Sequence, residues 1–137
     1  MLGELEILEI GPDDQLWRRI SRDKLDKVGA VTKRAFILPD KEEYEPDPRV
    51  SVYLAKISDR DQVKVSPGTQ KAQGLGELIA GPVRNADTDP PNTFKVYHDP
   101  NREYPINTAH SIIEGSTTLT HCEILARLTI LILDPRA

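Results

Sequence analysis

Three histidines, His98, His110 and His121, stand with Asp99 and Cys122 as the residues of this 137-residue chain that could bind a metal. Their spacing is neither a Cys-x-x-Cys nor a His-Glu-x-x-His pattern, and no two histidines are four apart. Each histidine is therefore expected to be satisfied by ordinary hydrogen bonds, and no metal or cofactor is expected. His110 is the most interesting of the three, because it opens a strand-like run just after Pro105-Ile106-Asn107, where a loop-borne polar group can face a cleft. Ser51, Ser111 and Ser116 supply hydroxyls, but none lies in a Gly-x-Ser-x-Gly elbow or a Ser-x-x-Lys motif. Cys122 falls in the first turn of an expected helix, where the dipole could lower a thiol pKa, although Glu123 opposes this and burial is the commoner fate. Gly74, Gly76 and Gly81 make no phosphate loop.

Arg18 and Arg19 carry more weight. An arginine on a short strand beside an aromatic such as Trp17 can clamp a phosphate or carboxylate with two parallel hydrogen bonds. The plainer expectation is an exposed arginine whose aliphatic stem lies on the indole.

The elements that must position these groups are short. Val50–Ile57, Gly76–Gly81, Thr93–Pro100 and Thr108–Gly115 read as strands, each rich in β-branched or aromatic residues and bounded by Gly, Pro, Asn or Asp. Val50–Ile57 is apolar on both faces, which predicts a central strand covered on both sides. Leu2–Ile10 alternates with glutamate and suits an edge strand. Gly11-Pro12-Asp13-Asp14 is a turn, and Gln15–Ser21 is read as a strand in which Leu16, Arg18 and Ile20 share a face. Lys33–Leu38 is a further short strand, and Asp40–Arg49 a solvated loop. Ser66-Pro67 opens a weak helix ending near Gly74 or Gly76. Pro82–Asn92 has the most disorder-like composition. Thr120-His-Cys-Glu123 reads as a capping box opening a C-terminal helix with an apolar stripe at Ile124, Leu125, Leu128, Leu131 and Ile132. The whole predicts one α+β domain over residues 1–137, with a mixed or antiparallel sheet of about five to six strands and the C-terminal helix on one face.

The net charge is −4, and the basic cluster Arg18, Arg19, Arg22, Lys24 and Lys27 is interleaved with Asp23 and Asp26. Nucleic-acid binding needs a basic footprint, so it is not expected. The N-terminus lacks the basic and apolar regions of a secretory signal, and the longest apolar stretch is interrupted by Arg127. With one cysteine and no disulfide, a cytoplasmic protein without membrane contact is expected. No signal specifies an oligomeric state.

The order of pieces, from Leu16-Trp-Arg-Arg-Ile-Ser through Val50-Ser-Val-Tyr-Leu-Ala and Gly76-Glu-Leu-Ile-Ala-Gly to Asn107-Thr-Ala-His110, is similar to a group of small bacterial proteins. These carry a Leu-Tyr-Arg-Arg start and a late Pro-x-His-Ala box; here Trp17 replaces the tyrosine and the late box is altered. The resemblance supplies no activity. A more distant likeness is to the RES and ADP-ribosyltransferase toxins, which bind NAD. It implies that Arg18 or Arg19 fills the arginine role, Tyr53 stacks, and Glu114 or Glu77 is the acid; the Gly-Gly-Arg-Trp box is missing. Two classes follow. The first is a non-enzymatic bacterial protein-interaction or toxin/immunity component whose partner is another protein. The alternative is a small NAD-binding transferase or hydrolase.

Overall fold

A computed structural model describes residues 7–38, 45–63, 73–101 and 107–136. Six strands form one antiparallel sheet: β1 (Gln15–Ile20), β2 (Arg49–Leu54), β3 (Gly74–Ile79), β4 (Lys95–His98), β5 (His110–Glu114) and β6 (Ile130–Leu133), in the spatial order β4-β5-β2-β1-β3-β6. Among the described residues three helices accompany them, α1 (Arg60–Val63), α2 (Ala80–Arg84) and α3 (Leu119–Leu128), with single 3-10 turns at Arg22–Lys24, Lys33–Phe36 and Ala55–Ile57. The α+β expectation, with an antiparallel sheet and a C-terminal helix on one face, is what the chain forms.

Strand pleating sorts the side chains. Register pairs Leu16 with Leu54 and with Leu78, and Val50 with Ile113, so these residues share one face with Ile20, Val52 and Val96. That face is covered by Cys122, Leu125 and Ala126 of α3 and by Phe36, all buried in one cluster. Each large side chain removed from water there contributes about 1.5–3 kcal/mol. Gly76 lies where α3 ends, and a Cβ there would stand 2.5 Å from Thr129 Cγ2, so the missing side chain lets the helix terminus approach the sheet.

Several expectations change. Lys33–Phe36 is a 3-10 turn rather than a strand, and it buries the adjacent Ala35 and Phe36 together. The C-terminal helix stops at Leu128, and Ile130–Leu133 instead pairs with β3 as β6. Its N-cap is Thr118, whose hydroxyl accepts the His121 N–H at 3.1 Å, not Thr120. Thr118→Ala is expected to cost about 1 kcal/mol in urea unfolding, with Thr120→Ala near neutral. β2 is interior but covered on one face only: Val50, Val52 and Leu54 are buried while Ser51 is exposed. Pro82–Asn92 contributes to α2 and to a turn with a cis Asp89–Pro90 bond. Residues 7–10 form no strand; the rest of the expected Leu2–Ile10 strand, and the helix opening at Ser66, lie outside the described residues.

The Gly11–Asp14 turn forms as read. Asp14 Oδ2 accepts the Gly11 N–H at 2.7 Å and pairs with Lys56 Nζ at 3.1 Å. Burial raises the Asp14 pKa, but the Gly11 and Lys56 contacts outweigh it and the net shift is downward. A carboxylate with a lowered folded-state pKa stabilises above its unfolded value, near pH 4, and loses that contribution as pH falls through the folded value. Urea midpoints measured across this acid range should therefore fall more steeply for the native protein than for Asp14→Asn.

Both sheet edges are guarded. On β4, Val96 O accepts Arg84 Nη2 at 2.9 Å, and on β6, Ile132 O accepts Arg60 Nη2 at 3.0 Å. Filling an edge carbonyl with a side chain discourages pairing with another chain.

Candidate functional site

The second face of the sheet is polar, and alternation places its members. Trp17, Arg19, Glu77, Arg49, Ser51, Tyr53, Lys95, Tyr97, His110 and Glu114 share it. Ile112, in register between Ser51 and Tyr97, and Leu75, opposite Arg19, are buried, so this face is packed at both places.

The polar groups are linked. Trp17 Nε1 donates to Glu77 Oε1 at 3.1 Å. The Arg19 guanidinium stacks over the Tyr53 ring at 5.0 Å while Nη1 donates to Tyr53 Oη at 2.7 Å and to Val63 O at 3.1 Å. Tyr97 Oη donates to Glu114 Oε1 at 3.3 Å, and Arg49 reaches Tyr97 Oη at 3.4 Å and Glu114 at 3.9 Å. The Tyr97 contact, with the charge of Glu114 behind it, raises the Arg49 pKa above the ordinary arginine value.

Of the residues singled out from sequence, Arg19, Tyr53, His110 and Glu114 come to this polar face, and Glu77 joins them. Arg18 does not. It points to the covered face, over the Phe36 ring at 5.5 Å, with Nε on Ala35 O at 2.9 Å and Nη1 on Ser51 O at 2.8 Å. Burial lowers its pKa, yet an arginine in a protein stays charged. The neighbouring arginines, treated together in sequence, therefore do different work on opposite sides of the sheet.

His110 is where sequence reasoning saw a residue but not its partners. Its Nδ1 lies 2.7 Å from the Asp99 carbonyl oxygen and 3.7 Å from the Asp99 carboxylate; its Nε2 lies 3.1 Å from Ser51 Oγ. A carbonyl only accepts, so the neutral ring carries its proton on Nδ1 and turns the Nε2 lone pair to the Ser51 hydroxyl. Ser51 and His110 are 59 residues apart, and only the pairing of β2 with β5 joins them.

The other two histidines are satisfied structurally. Buried His98 accepts the Leu8 N–H on Nδ1 at 2.8 Å and donates from Nε2 to Thr108 O at 2.7 Å. His121 accepts the Thr117 N–H at 3.1 Å and meets the Phe94 ring edge-on at 5.6 Å. It borders a shallow depression of about 710 Å³ lined by Thr88, Pro90, Thr93 and Thr118. Among the described residues no three His, Cys, Asp or Glu side chains converge to hold a metal ion. Cys122 is buried with Sγ 3.4 Å from Phe36 O; burial pushes its thiol pKa up, against a smaller downward pull from Ser116. No helix among the described residues is long and apolar enough to cross a membrane.

Compared with protein-family models, with curated proteins and with solved structures, the chain matches none.

Proposed function

We propose that the protein acts as an interaction component of the bacterial cytoplasm, of the toxin/immunity kind, whose partner binding needs no catalysis, and that its protein partner docks on the polar face of the sheet. The observation that supports this most is the makeup of that face: Trp17, Tyr53, Tyr97 and Arg19, each held by a neighbour, stand with the more loosely held Arg49. Tryptophan, tyrosine and arginine supply most binding hot spots, and side chains already fixed lose less entropy on docking. Because Arg60 and Arg84 occupy edge carbonyls, the face rather than an edge is the docking surface. The net charge of −4 suits a partner with a basic surface.

The test is paired affinity capture from the native cells, using the wild type and a Tyr53→Ala/Tyr97→Ala variant shown to stay folded by circular dichroism. A partner held by the wild type should bind the variant at least about a hundredfold more weakly, roughly 3 kcal/mol over two hot spots. Equal affinity for both forms would end the reading.

A small NAD-binding enzyme of the ADP-ribosyltransferase or RES kind is the second reading, favoured by one observation: Arg19, Tyr53 and Glu114 share a face. Arg18 is removed from that scheme by its place on the covered face. Saturating NAD should then raise the thermal midpoint, and Arg19→Ala should abolish the rise; no rise at a hundredfold excess over millimolar affinity would exclude it.

A further inference from the structure

The geometry points to Ser51 as an acylatable nucleophile with His110 as its general base, giving the polar face an activity toward carboxylic esters that goes beyond partner binding. Three observations converge on it. The Nε2–Oγ distance of 3.1 Å is within proton-transfer reach. The ring is oriented by the Asp99 carbonyl at 2.7 Å, with the Asp99 carboxylate at 3.7 Å placed to favour the imidazolium that forms when the base takes a proton. Ser51 itself is exposed, so a substrate carbonyl can reach its hydroxyl.

A further observation is the anchoring of the serine's own peptide. The β1–β2 ladder pairs Leu16 with Leu54 and Trp17 with Tyr53 and goes no further. At the next step the Ser51 carbonyl oxygen is held by Arg18 Nη1 at 2.8 Å, so a permanent positive charge fixes the backbone that carries the nucleophile. A simple surface serine paired with histidine needs no such anchor. Arg18 is thus a positioning residue. Arg49, one pleat earlier on the face of Ser51, brings a second guanidinium. Its contacts at 3.4 and 3.9 Å are long, and it can turn toward the negative charge that develops on a substrate oxygen.

The step balances without a cofactor. Ser51 Oγ attacks the ester carbonyl carbon as its proton passes to His110 Nε2, and the carbonyl π pair moves to oxygen. The tetrahedral adduct re-forms the carbonyl, the bond to the leaving oxygen breaks with its electron pair, and that oxygen takes the proton from His110. Water then repeats the sequence on the acyl-serine, with His110 again the base, and releases the carboxylic acid. With Ser51 exposed, the fitting substrate is an ester with an accessible carbonyl and a good leaving group.

The experiment uses the full chain with p-nitrophenyl acetate, following nitrophenolate release and locating the acetyl group by peptide mass mapping. Acetyl on Ser51 is expected, with Ser51→Ala and His110→Gln each slowing release about a hundredfold or more while both keep the wild-type thermal midpoint within about 3 °C. Should His110→Gln unfold, the pH profile of the wild type serves instead: release must rise with a single deprotonation that Ser51→Ala removes. Acetyl found on lysines with Ser51 unmodified, or unchanged release in both folded variants, would overturn the proposal. Ser51→Ala leaves Tyr53 and Tyr97 in place, so partner capture by this variant is unaffected and the two readings fail independently.

Discussion

Arg18→Ala is expected to lower the thermal midpoint by roughly 10 °C, about 3 kcal/mol for a domain of this size. The guanidinium satisfies two backbone carbonyls, Ala35 O and Ser51 O, and hydrogen bonds from a charged donor each contribute about 1.5–3 kcal/mol. Alanine leaves the Ser51 carbonyl without its partner where the β1–β2 ladder has ended, and it uncovers the Phe36 ring that the guanidinium overlies. Arg18→Lys should recover less than half, because an ammonium lacks the fork that reaches both carbonyls at once. Arg19→Ala should cost nearer 1 kcal/mol, since its contacts to Tyr53 and Val63 lie on the polar face. Urea unfolding of the three variants checks the order; an Arg18→Ala protein within about 2 °C of the wild type would contradict the structural role.

That contrast shows what could be read from sequence. Alternation in Gln15–Ser21 already placed Arg18 with Leu16 and Ile20, and so apart from Arg19. It could not say which face would be covered, because that depends on Phe36 and α3, distant in the chain. Strands β2 to β5 were visible because their β-branched runs are bounded by turn residues, and the residues of β2 that proved buried were the alternate ones. The C-terminal run misled for a physical reason. Ile124, Leu125 and Leu128 follow helical spacing, but Thr129-Ile130-Leu131-Ile132 is equally suited to a strand, and only the vacant edge of β3 decides it. The capping box failed similarly: Thr118 and Thr120 are both acceptable caps, and the helix begins two residues earlier than the later one requires. The site was half visible. His110 stood out at the head of a strand, yet nothing in spacing could bring Ser51 to it, since their meeting is a matter of the β2–β5 register, in which Tyr53 opposes His110 and Ser51 opposes Ile112.

The register of those two strands is held at its far end by Gly115, and Gly115→Ala is expected to cost about 3 kcal/mol, most of it backbone strain. Gly115 follows the last residue of β5 with φ +113°, a conformation that residues with a Cβ rarely adopt. A Cβ there would collide with the Thr93 carbonyl oxygen, a backbone atom on the approach to β4, so no side-chain rotation relieves it. The Gly115 N–H also donates to Pro48 O at 3.1 Å, which ties the end of β5 to the start of β2. Relaxing the strain would shift Glu114 and its partners Arg49 and Lys95 in register. Gly11→Ala is the matched control: its Cβ would meet only Asp14 Oδ2, at 3.6 Å, and its φ is ordinary, so stability should stay within about 0.5 kcal/mol of the wild type. If both substitutions cost the same in urea unfolding, the turn after β5 does not have the conformation described. If Gly115→Ala alone is destabilising, acylation at Ser51 should fall with it even in the folded fraction, because the β2–β5 pairing that sets the Ser51–His110 distance begins at this turn.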